Sequence, residues 1–282
     1  MRGPPQPLVV TSWILPYPIY GEDRGDSAMQ LIVLHLTHLE PGPWAATPLR
    51  LGLVCAVTAA FSALGYAIRG VSRSGAIAGA LACFALFAAA GPGAFAALLC
   101  LFVVTWLATR LGRARKLRLG TAEHGEGRTG AQVLANLGTA VACGLLYASS
   151  NQRLFLLAMT AALAEAASDT VSSEVGQAFS EHARLITTFE PVPAGTDGGI
   201  TLVGTMAGVG GAALVSLACA LTGLLPVRWL WMSAACGVLG MLADSYMGAW
   251  FERRGWLNND AVNFISTAVA AALSVMFLRL FP

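Results

Sequence analysis

Three carboxylates stand in or just after one apolar stretch of the sequence. Residues 162–176 read ALAEAASDTVSSEVG and continue the apolar run RLFLLAMTAALA, so Glu165, Asp169 and Glu174 lie where the chain otherwise looks suited to lipid. A carboxylate at membrane depth costs several kcal/mol, so it normally faces a protein interior and serves a pathway, a relay or a bound ion. These acids are therefore the first candidates for chemistry.

Helical spacing divides the three acids. Glu165 and Asp169 are four residues apart and share one helix face, and Ser172 and Ser173 follow one turn later. Glu174 is nine residues from Glu165 and points away from it unless the helix has already ended. The spacing predicts an acidic mouth at one end of the helix. The alternative is a pair of carboxylates at a helix end that extend into water.

A glycine-rich loop precedes the next apolar segment. The loop PVPAGTDGGI, 191–200, ends in GTDGG. Its glycines would allow backbone N–H groups to converge on an anion, and the N-terminus of the following helix would add a positive dipole. Asp197 could hold a metal or a water molecule, and the predicted anion-binding residues are Gly195, Thr196, Gly198 and Gly199. A plain turn into the helix, capped by aspartate, is the competing interpretation.

Two further segments carry polar residues beside apolar spans. LADSYMGAWFERRGWLNNDAVNF, 242–264, contains Asp244 inside one span, Arg253 in a short basic loop and Asn263 at the start of the last span. EGRTGAQVLANLG, 126–138, places Arg128 at the edge of a span and Asn136 about two turns inside it. The amide of Asn136 could equally well bridge two helices.

Carboxylates, amides, a glycine-rich turn and arginines on one membrane face are the groups that a magnesium-bound polyphosphate requires. Oxygen ligands hold Mg²⁺, which keeps several waters and bridges phosphates, while arginines neutralise charge on the transferred group. Asp169 and Asp244 are the predicted catalytic residues, with Glu165 as an orienting group or a base. The predicted Mg²⁺ ligands are Asp169, Glu174, Asp197 and Asp244. The predicted contacts to substrate or nucleotide are Arg128, Asn136, Arg253, Asn263 and the 195–199 turn.

The composition places the chain in a membrane. Of its 282 residues 56% are hydrophobic and only 11% are charged, and the mean hydropathy is +0.66, whereas an ordinary soluble domain is about a quarter charged. The net charge of +2 is too small to indicate nucleic-acid binding. The six cysteines are scattered singly in apolar segments without a CxxC pair, which argues against a disulfide framework or a zinc site.

The apolar runs predict an all-α, polytopic membrane helix bundle. Six or seven spans is the alternative to eight, because some runs are short for a bilayer. Gly75-x-x-x-Gly79 and Gly204-x-x-x-Gly208 offer close helix contacts through small residues. Residues 1–46 hold seven of the thirteen prolines and predict a flexible extension ahead of one transmembrane domain over 47–282. The eight candidate spans are about 51–68, 74–90, 94–109, 130–149, 154–172, 200–224, 229–250 and 262–280.

Loop charges predict the orientation of the bundle. With eight spans, one set of loops holds eleven arginines and lysines, and the other set holds only Arg153 and Arg228 between its spans. The positive-inside rule then makes the charged loops cytoplasmic, at the inner membrane if the source is bacterial. The helix ends that carry Glu165, Asp169 and Asp244 fall on that same side. The charged loops are 69–73, 110–129, 173–199 and 251–261.

Five segments, in chain order, resemble one known family. Over about 50–282 the chain resembles the polytopic membrane proteins that include the plant phytyl-phosphate kinase of vitamin E synthesis. The resemblance implies a nucleoside-triphosphate-dependent kinase that converts an isoprenoid monophosphate to its diphosphate. The segments are SRSGAIAGAL (72–81), EGRTGAQVLAN (126–136), ASDTVSSEVG (167–176), GTDGGITLVGTMAG (195–208) and DSYMGAWFERRG with NDAVNF (244–264).

We therefore predict a membrane phosphotransferase that acts on a phytyl-type or geranylgeranyl-type phosphate, with Mg²⁺ and a CTP-like donor, and that receives its lipid sideways from the bilayer. A lipid-alcohol kinase or cytidylyltransferase with the same site stays open. So does a proton- or cation-coupled transporter that binds its ion at Glu165, Asp169 and Asp244. A transporter needs its acids near the midplane with access from both sides. Here they crowd toward one face, which favours the enzyme.

Overall fold

The computed structural model describes residues 44–122 and 125–280, so the predicted extension lies outside the described residues as far as residue 43. The prediction of an all-α helix bundle is confirmed. Three short strands, β1 (His182–Leu185), β2 (Pro191–Pro193) and β3 (Gly199–Ile200), lie between two of the helices. In the described chain the helices are α1 (Pro48–Ala67), α2 (Arg73–Arg110), α3 (Arg113–Leu119), α4 (Gly130–Ser150), α5 (Arg153–Phe179), α6 (Leu202–Leu221), α7 (Leu230–Met247) and α8 (Asn259–Leu280).

Helix α2 consists of two crossings joined by a sharp turn. Its 38 residues would measure about 57 Å in one straight helix, nearly twice the roughly 30 Å of a bilayer core. The backbone breaks at Gly91 (φ 76°, ψ −163°), just before Pro92. The rings of Phe87 and Phe95 stack with centroids 5.3 Å apart, which shows that the chain folds back on itself. The two arms, 73–90 and 92–110, match the two spans predicted there.

Eight helical segments occupy the eight predicted span positions. Six helices of the described chain, namely α1, α2, α4, α5, α6 and α8, are long and apolar enough to cross a membrane. Helix α2 crosses twice, and α7, with 18 residues, packs against α5, α6 and α8 in the same bundle.

Helix α5 is the central element of the bundle. In its most apolar 18-residue stretch, 83% of the residues are buried. Helix α5 packs against α2, α4, α6, α7 and α8. The contact with α6 depends on glycine. A Cβ on Gly204 would lie 2.5 Å from the carbonyl oxygen of Ser172, and a Cβ on Gly208 would lie 2.8 Å from that of Ser168. The predicted close contact through Gly204 and Gly208 is therefore confirmed.

The loops gather at two ends of the bundle. The end that carries the candidate site, which we call the site face, consists of 68–72, 111–122, 125–129, 180–201 and 248–258. Two arginines join its segments: Arg110 Nη2 donates to the Ile68 carbonyl oxygen at 2.8 Å, and Arg115 Nη2 donates to the Ser180 carbonyl oxygen at 2.6 Å. The turn at 91 and the links 151–152 and 222–229 lie at the opposite end.

A small antiparallel sheet lies on the site face, where only a loop was predicted. Strand β1 pairs with β2 on one side and β3 on the other, with Arg184 opposite both Pro191 and Ile200. Ala183 and Leu185 point inward and are buried. Strands of four, three and two residues are too short to show an alternating pattern in the sequence, so this sheet could not be predicted.

Helix α3, also in a predicted loop, carries a buried lysine. Lys116 is 1% exposed, and its Nζ donates to Glu174 Oε2 at 2.5 Å and to the carbonyl oxygens of Ala108 and Thr109 at 3.3 and 2.7 Å. Helix α5 continues about two turns beyond its predicted end near residue 172. Glu174 therefore stays helical and points away from Glu165, as the nine-residue spacing requires.

Candidate active site

Three carboxylates, which we call the acid cluster, converge where α5, α7 and α8 meet. Glu165 is 1% exposed and lies within electrostatic range of Asp169 and Asp244. Ser266 of α8 lies within hydrogen-bonding reach of both Glu165 and Asp244. Gly240 of α7 leaves the necessary space, because a Cβ there would lie only 2.5 Å from Cγ of Glu165. The acids predicted on two separate spans are thus brought together.

Two carboxylates of the acid cluster have oxygen atoms without a protein partner. Oε1 of Glu165 and Oδ2 of Asp244 are buried and accept no hydrogen bond from any described residue. Buried polar groups in native proteins nearly always have a partner, because an unpaired one has lost its water without compensation. These two oxygen atoms are free to accept a bond from a cation, a water molecule or a ligand.

Two more carboxylates face the acid cluster from the loops. Glu252 ends the π-helical turn Gly248–Glu252 that follows α7, and turns of this kind are frequent at functional sites. Burial, and then the charges of Asp197 and Asp169, raise the pKa of Glu252 to about 7. Burial also raises the pKa of Asp197, and the nearby Arg253 opposes that rise.

The raised pKa of Glu252 predicts a pH-dependent stability. Folded Glu252 keeps its proton up to a pH of about 7, whereas the unfolded side chain loses it near the ordinary value of 4.5. Between these values the unfolded state binds fewer protons, so stability falls as the pH rises. Thermal unfolding of the protein in detergent without divalent cations should therefore show a falling midpoint from about pH 5 to pH 8.

Glu252→Gln should flatten this decline, and Glu190→Gln, at an exposed position in the turn after β1, serves as its control. An equally steep decline in Glu252→Gln and in the unchanged protein would contradict the assignment to Glu252.

Arg128 is held at the site face by backbone pairing. Its N–H donates to the Gly70 carbonyl oxygen at 3.2 Å, and its carbonyl oxygen accepts from the Ser72 N–H at 3.0 Å. We call this pairing of 70–72 with 127–130 the clasp. It joins two of the segments that carried the family resemblance, the one before α2 and the one before α4.

The Arg128 side chain reaches the acid cluster. Its Nη1 donates to the Thr170 hydroxyl at 3.3 Å, and its charge lies within electrostatic range of Asp169. Arg128, predicted as a contact to substrate or nucleotide, is therefore a cation beside the acid cluster, and the clasp determines its position.

The GTDGG turn differs from the predicted anion cradle. The Thr196 N–H donates to the Pro193 carbonyl oxygen at 3.2 Å, and the Gly199 N–H donates to the Thr196 carbonyl oxygen at 2.8 Å. These two amides are used within the turn, because pairing of β3 draws the turn into the sheet. Helix α6 begins only at Leu202, after β3. Anion binding by Gly195 and Gly198 stays a prediction.

Glu174 stands apart from the other predicted metal ligands. It forms an ion pair with Lys116 on the side of α5 away from Glu165, because α5 does not end before residue 174. We therefore leave Glu174 out of the candidate ligand set.

The remaining predicted contacts fall in different places. Asn136 is buried in α4, and its Nδ2 donates to the Gln132 carbonyl oxygen at 2.8 Å. Arg253 is exposed near Asp197. Asn263 is 9% exposed and lies one helical turn before Ser266 on α8. Arg253 and Asn263 thus flank the acid cluster, whereas Asn136 lies on α4.

The acid cluster fits a metal ion that shares its coordination with a ligand. Among the described residues no group of three or more His, Cys, Asp and Glu side chains is placed to hold an ion alone. Mg²⁺ usually binds through one or two carboxylates, several waters and substrate phosphates. The unpartnered oxygen atoms of Glu165 and Asp244, beside Asp169, are suited to such a partial site. Asp169, Asp197 and Asp244 stay candidate ligands.

Two residues of the site were not recognised in the sequence. Glu252 stands eight residues after Asp244, about two turns further along the chain, and this spacing is a signal that could have identified it. Ser266 is three residues after Asn263 and shares its helix face, but a serine in an apolar helix is too common to single out.

Comparison with known proteins identifies relatives across most of the chain. Uncharacterized membrane protein MJ0933 of Methanocaldococcus jannaschii is 47% identical over 124 residues, which are 43% of this chain and 50% of that protein. Protein VTE6, chloroplastic, of Arabidopsis thaliana is 31% identical over 222 residues, 74% of this chain and 66% of that protein. Uncharacterized membrane protein sll0875 of Synechocystis is 34% identical over 196 residues, covering 67% and 76%.

The matched region spans about half the length of the archaeal protein and two thirds of the plant one. No solved structure matches the chain. The family described as integral membrane protein DUF92 matches residues 56–271, which include the clasp, the acid cluster and the small sheet. The resemblance seen in the five sequence segments is thereby confirmed, and the chain belongs to the integral membrane protein family DUF92.

Proposed function

We propose that this protein is a membrane-embedded phosphotransferase that converts an isoprenoid monophosphate to the diphosphate with a nucleoside triphosphate and Mg²⁺. The observation that carries the proposal is the buried acid cluster meeting the cation of Arg128 at one end of the bundle. The family resemblance, which includes a plant phytyl-phosphate kinase, and the 31% identity to Protein VTE6 support it.

Phosphoryl transfer needs positioning and charge neutralisation more than covalent chemistry. Mg²⁺, when bound with the nucleotide, would supply charge neutralisation at the reacting phosphates. Asp169 and Asp244 would hold it directly or through water, with Asp197 assisting from the loop. Arg128 would face the phosphates from the clasp, where its bond to Thr170 limits its movement. Each role uses a charge or a free oxygen atom already described.

The proposed step needs no base in the protein. An oxygen atom of the lipid phosphate forms a bond to the terminal phosphorus of the triphosphate, the bond from that phosphorus to the bridging oxygen breaks, and the nucleoside diphosphate leaves. A phosphate monoester has its second pKa near 6, so most of the acceptor brings no proton at pH 7. Glu165 then serves to orient its neighbours, whereas an alcohol acceptor would require it as a base.

Labelled nucleotides test the reaction class. Purified protein is incubated with CTP, ATP, GTP or UTP, each carrying label in either the terminal phosphate or the base, and with prenyl alcohols and prenyl monophosphates. We expect terminal-phosphate label in a prenyl diphosphate. Base label in the lipid product would make the protein a nucleotidyltransferase. No transfer to any acceptor, together with ion-driven flux in vesicles, would replace the enzyme with a transporter.

We propose that the site face lies in the cytoplasm, because its loops hold most of the arginines. Single cysteines at 120, 190 and 151, all exposed positions, test this in a cysteine-free background. We expect the first two to react with an impermeant thiol reagent only from the cytoplasmic side, and the third only from the other side. Labelling of 120 and 190 from opposite sides would mean that the loops do not form one site.

The clasp gives a second prediction for activity. A Cβ on Gly75 would overlap the carbonyl oxygen of Arg128, and a backbone atom cannot rotate aside as a side chain can. Gly75→Ala should therefore open the clasp and move Arg128 away from Asp169, at a cost of roughly 100-fold in turnover. Helix α2 itself should persist, because alanine favours helix.

Turnover and helix content by circular dichroism measure these two effects. Gly210→Ala is the matched control, because a Cβ there would contact nothing within 4 Å. Full turnover in Gly75→Ala would remove Arg128 from the proposed mechanism.

A further inference from the structure

A cleft distinct from the acid cluster opens at the site face, between α1, both arms of α2 and the start of α4. It has a volume of about 150 Å³. Gln132 and Asn136 add amide groups to its lining. Four arginines also line it, and these are Arg69, Arg110, Arg113 and Arg128.

The deeper part of the cleft is apolar. Phe61 and Phe102 meet edge to face with centroids 5.3 Å apart, and four aliphatic side chains complete the wall. Leu98 lies twelve residues before Arg110, which corresponds to about 18 Å along the helix. The cleft therefore extends from cations at the site face toward the hydrocarbon depth of the bundle. The aliphatic lining residues are Leu98, Leu101, Val133 and Leu137.

Glycines leave the cleft open. Gly79 of α2 lines it, and a Cβ there would contact nothing within 4 Å. Gly70 allows the ring of Phe102 to pack against the backbone before α2, because a Cβ on Gly70 would lie 2.9 Å from Cζ of that ring. The predicted helix contact through Gly75 and Gly79 is therefore wrong: Gly75 packs on the clasp and Gly79 faces the cleft.

Among the described residues, no carboxylate forms an ion pair with the arginines of the cleft. Within the described residues the one ion pair joins Lys116 and Glu174, which lie outside the cleft. The side chains of Arg69 and Arg113 form no hydrogen bond with the described chain. Neighbouring cations without a counter-charge create a potential that attracts an anion.

Arg110 and Arg128 are oriented by their surroundings. Arg110 lies over the ring of Trp106, 4.2 Å from its centroid, and donates to the Ile68 carbonyl oxygen. Arg128 is fixed by the clasp and is shared between the cleft and the acid cluster. Arginine binds phosphate oxygens with paired N–H groups. The cleft thus combines phosphate-binding chemistry with an apolar channel.

We infer that this cleft binds the lipid acceptor, as the phosphate monoester of a single long hydrocarbon chain. The phosphate lies among the arginines, and the chain lies along the rings of Phe61 and Phe102 toward Leu98. The inference rests on the proposed function and adds to it a separate site for each substrate. Arg128 lines the cleft and also reaches the acid cluster, so the lipid phosphate and the nucleotide meet at its guanidinium.

Charge removal tests the phosphate end of the cleft. Arg69→Gln and Arg113→Gln should each raise the KM for a prenyl monophosphate roughly tenfold. The kcat and the nucleotide KM should stay unchanged, because the lost contact is the same before and during the reaction. Arg153→Gln, an exposed position at the opposite end of the bundle, is the matched control. A raised nucleotide KM, or no change in any constant, would overturn the inference.

Direct binding tests the cleft without catalysis. A photoreactive prenyl monophosphate, added to the protein in detergent without nucleotide, should label peptides of α1 and α2. Farnesyl monophosphate should compete for labelling, whereas farnesol, inorganic phosphate and dioleoyl phosphatidic acid should not. Gly79→Leu, which fills the cleft, should lower labelling at least fivefold, and Gly210→Leu, another helical glycine with open space around it, should not.

The outcomes separate the two proposals. Labelling of the cleft without phosphotransfer from any donor would refute the proposed function and retain the lipid phosphate site. Phosphotransfer with normal labelling and normal lipid KM in Gly79→Leu and Arg69→Gln would refute the cleft and retain the function. Equal competition by phosphatidic acid would overturn the single-chain assignment.

Discussion

Asp169→Asn and Asp244→Asn are each expected to lower phosphotransfer by roughly 100-fold to 1,000-fold while the protein stays folded. An amide keeps the shape of the carboxylate but removes its charge, so the metal-bound nucleotide loses a ligand where charge develops during transfer. Turnover with terminally labelled nucleotide measures the effect, and a single symmetric peak in size-exclusion chromatography confirms folding. Binding of the nucleotide should also lose its dependence on Mg²⁺ in both variants.

The same variants distinguish a functional cluster from a structural one. Glu165, Asp169 and Asp244 lie within electrostatic range of one another, so removal of one negative charge should leave the unfolding temperature unchanged or raise it. Functional sites commonly hold such destabilising arrangements. Glu190→Gln is the exposed control. A lower unfolding temperature with full turnover would show that the acids support the fold and not the chemistry.

Lys116→Met is expected to destabilise the protein by about 3–5 kcal/mol, the cost of leaving one partner of a buried ion pair alone. Lys116 and Glu174 have side chains that are only 1% and 11% exposed. The substitution leaves the Glu174 carboxylate without its cation, and it also removes the donor for the carbonyl oxygens of Ala108 and Thr109. Denaturant titration in mixed micelles would measure the change in the free energy of unfolding.

The double variant Lys116→Met with Glu174→Leu should recover most of that loss, because no charge then remains buried. Its turnover should be near normal if Glu174 has only a structural role. If Glu174→Gln alone instead abolishes turnover without changing stability, Glu174 is a metal ligand as its sequence context suggested, and the ion pair with Lys116 must open during the reaction.

The helices were predictable because local signals separate the apolar runs. Gly91 and Pro92 interrupt what would otherwise be one run, since glycine accepts the positive φ and proline cannot continue the preceding helix. Ser72, Thr129 and Thr201 begin helices by accepting a hydrogen bond from the backbone three residues on. Each signal acts within a few residues, so a single sequence reveals it.

Contacts between distant segments were not predictable in the same way. Glu174 and Lys116 are 58 residues apart, and no local signal marks how far α5 continues past Ser172. The small sheet depends on three very short strands and on burial of Ala183 against the bundle. In both cases the decisive energy comes from packing between elements, which periodicity within one element does not report.

The candidate site was predictable in part for the same reason. Helical spacing paired Glu165 with Asp169, and the alternation of loops put Asp244 on the same side of the membrane. Glu252 ends the π-helical turn that follows α7, and that turn was not predicted. The cleft draws arginines from three loops into one place, and it exists because the arms of α2 fold back at Gly91.

Helix α5 also bears on how the chain enters the bilayer during synthesis. An acid at the centre of a helix costs about 2.5–3.5 kcal/mol during insertion by the translocon, and α5 carries Glu165 near its middle and Asp169 one turn later. The surfaces that shield these acids belong to α7 and α8, which are synthesised afterwards. Helix α5 is therefore a poor insertion signal alone. It should wait beside the translocon until α7 and α8 emerge, and then enter lipid with them as one packed unit.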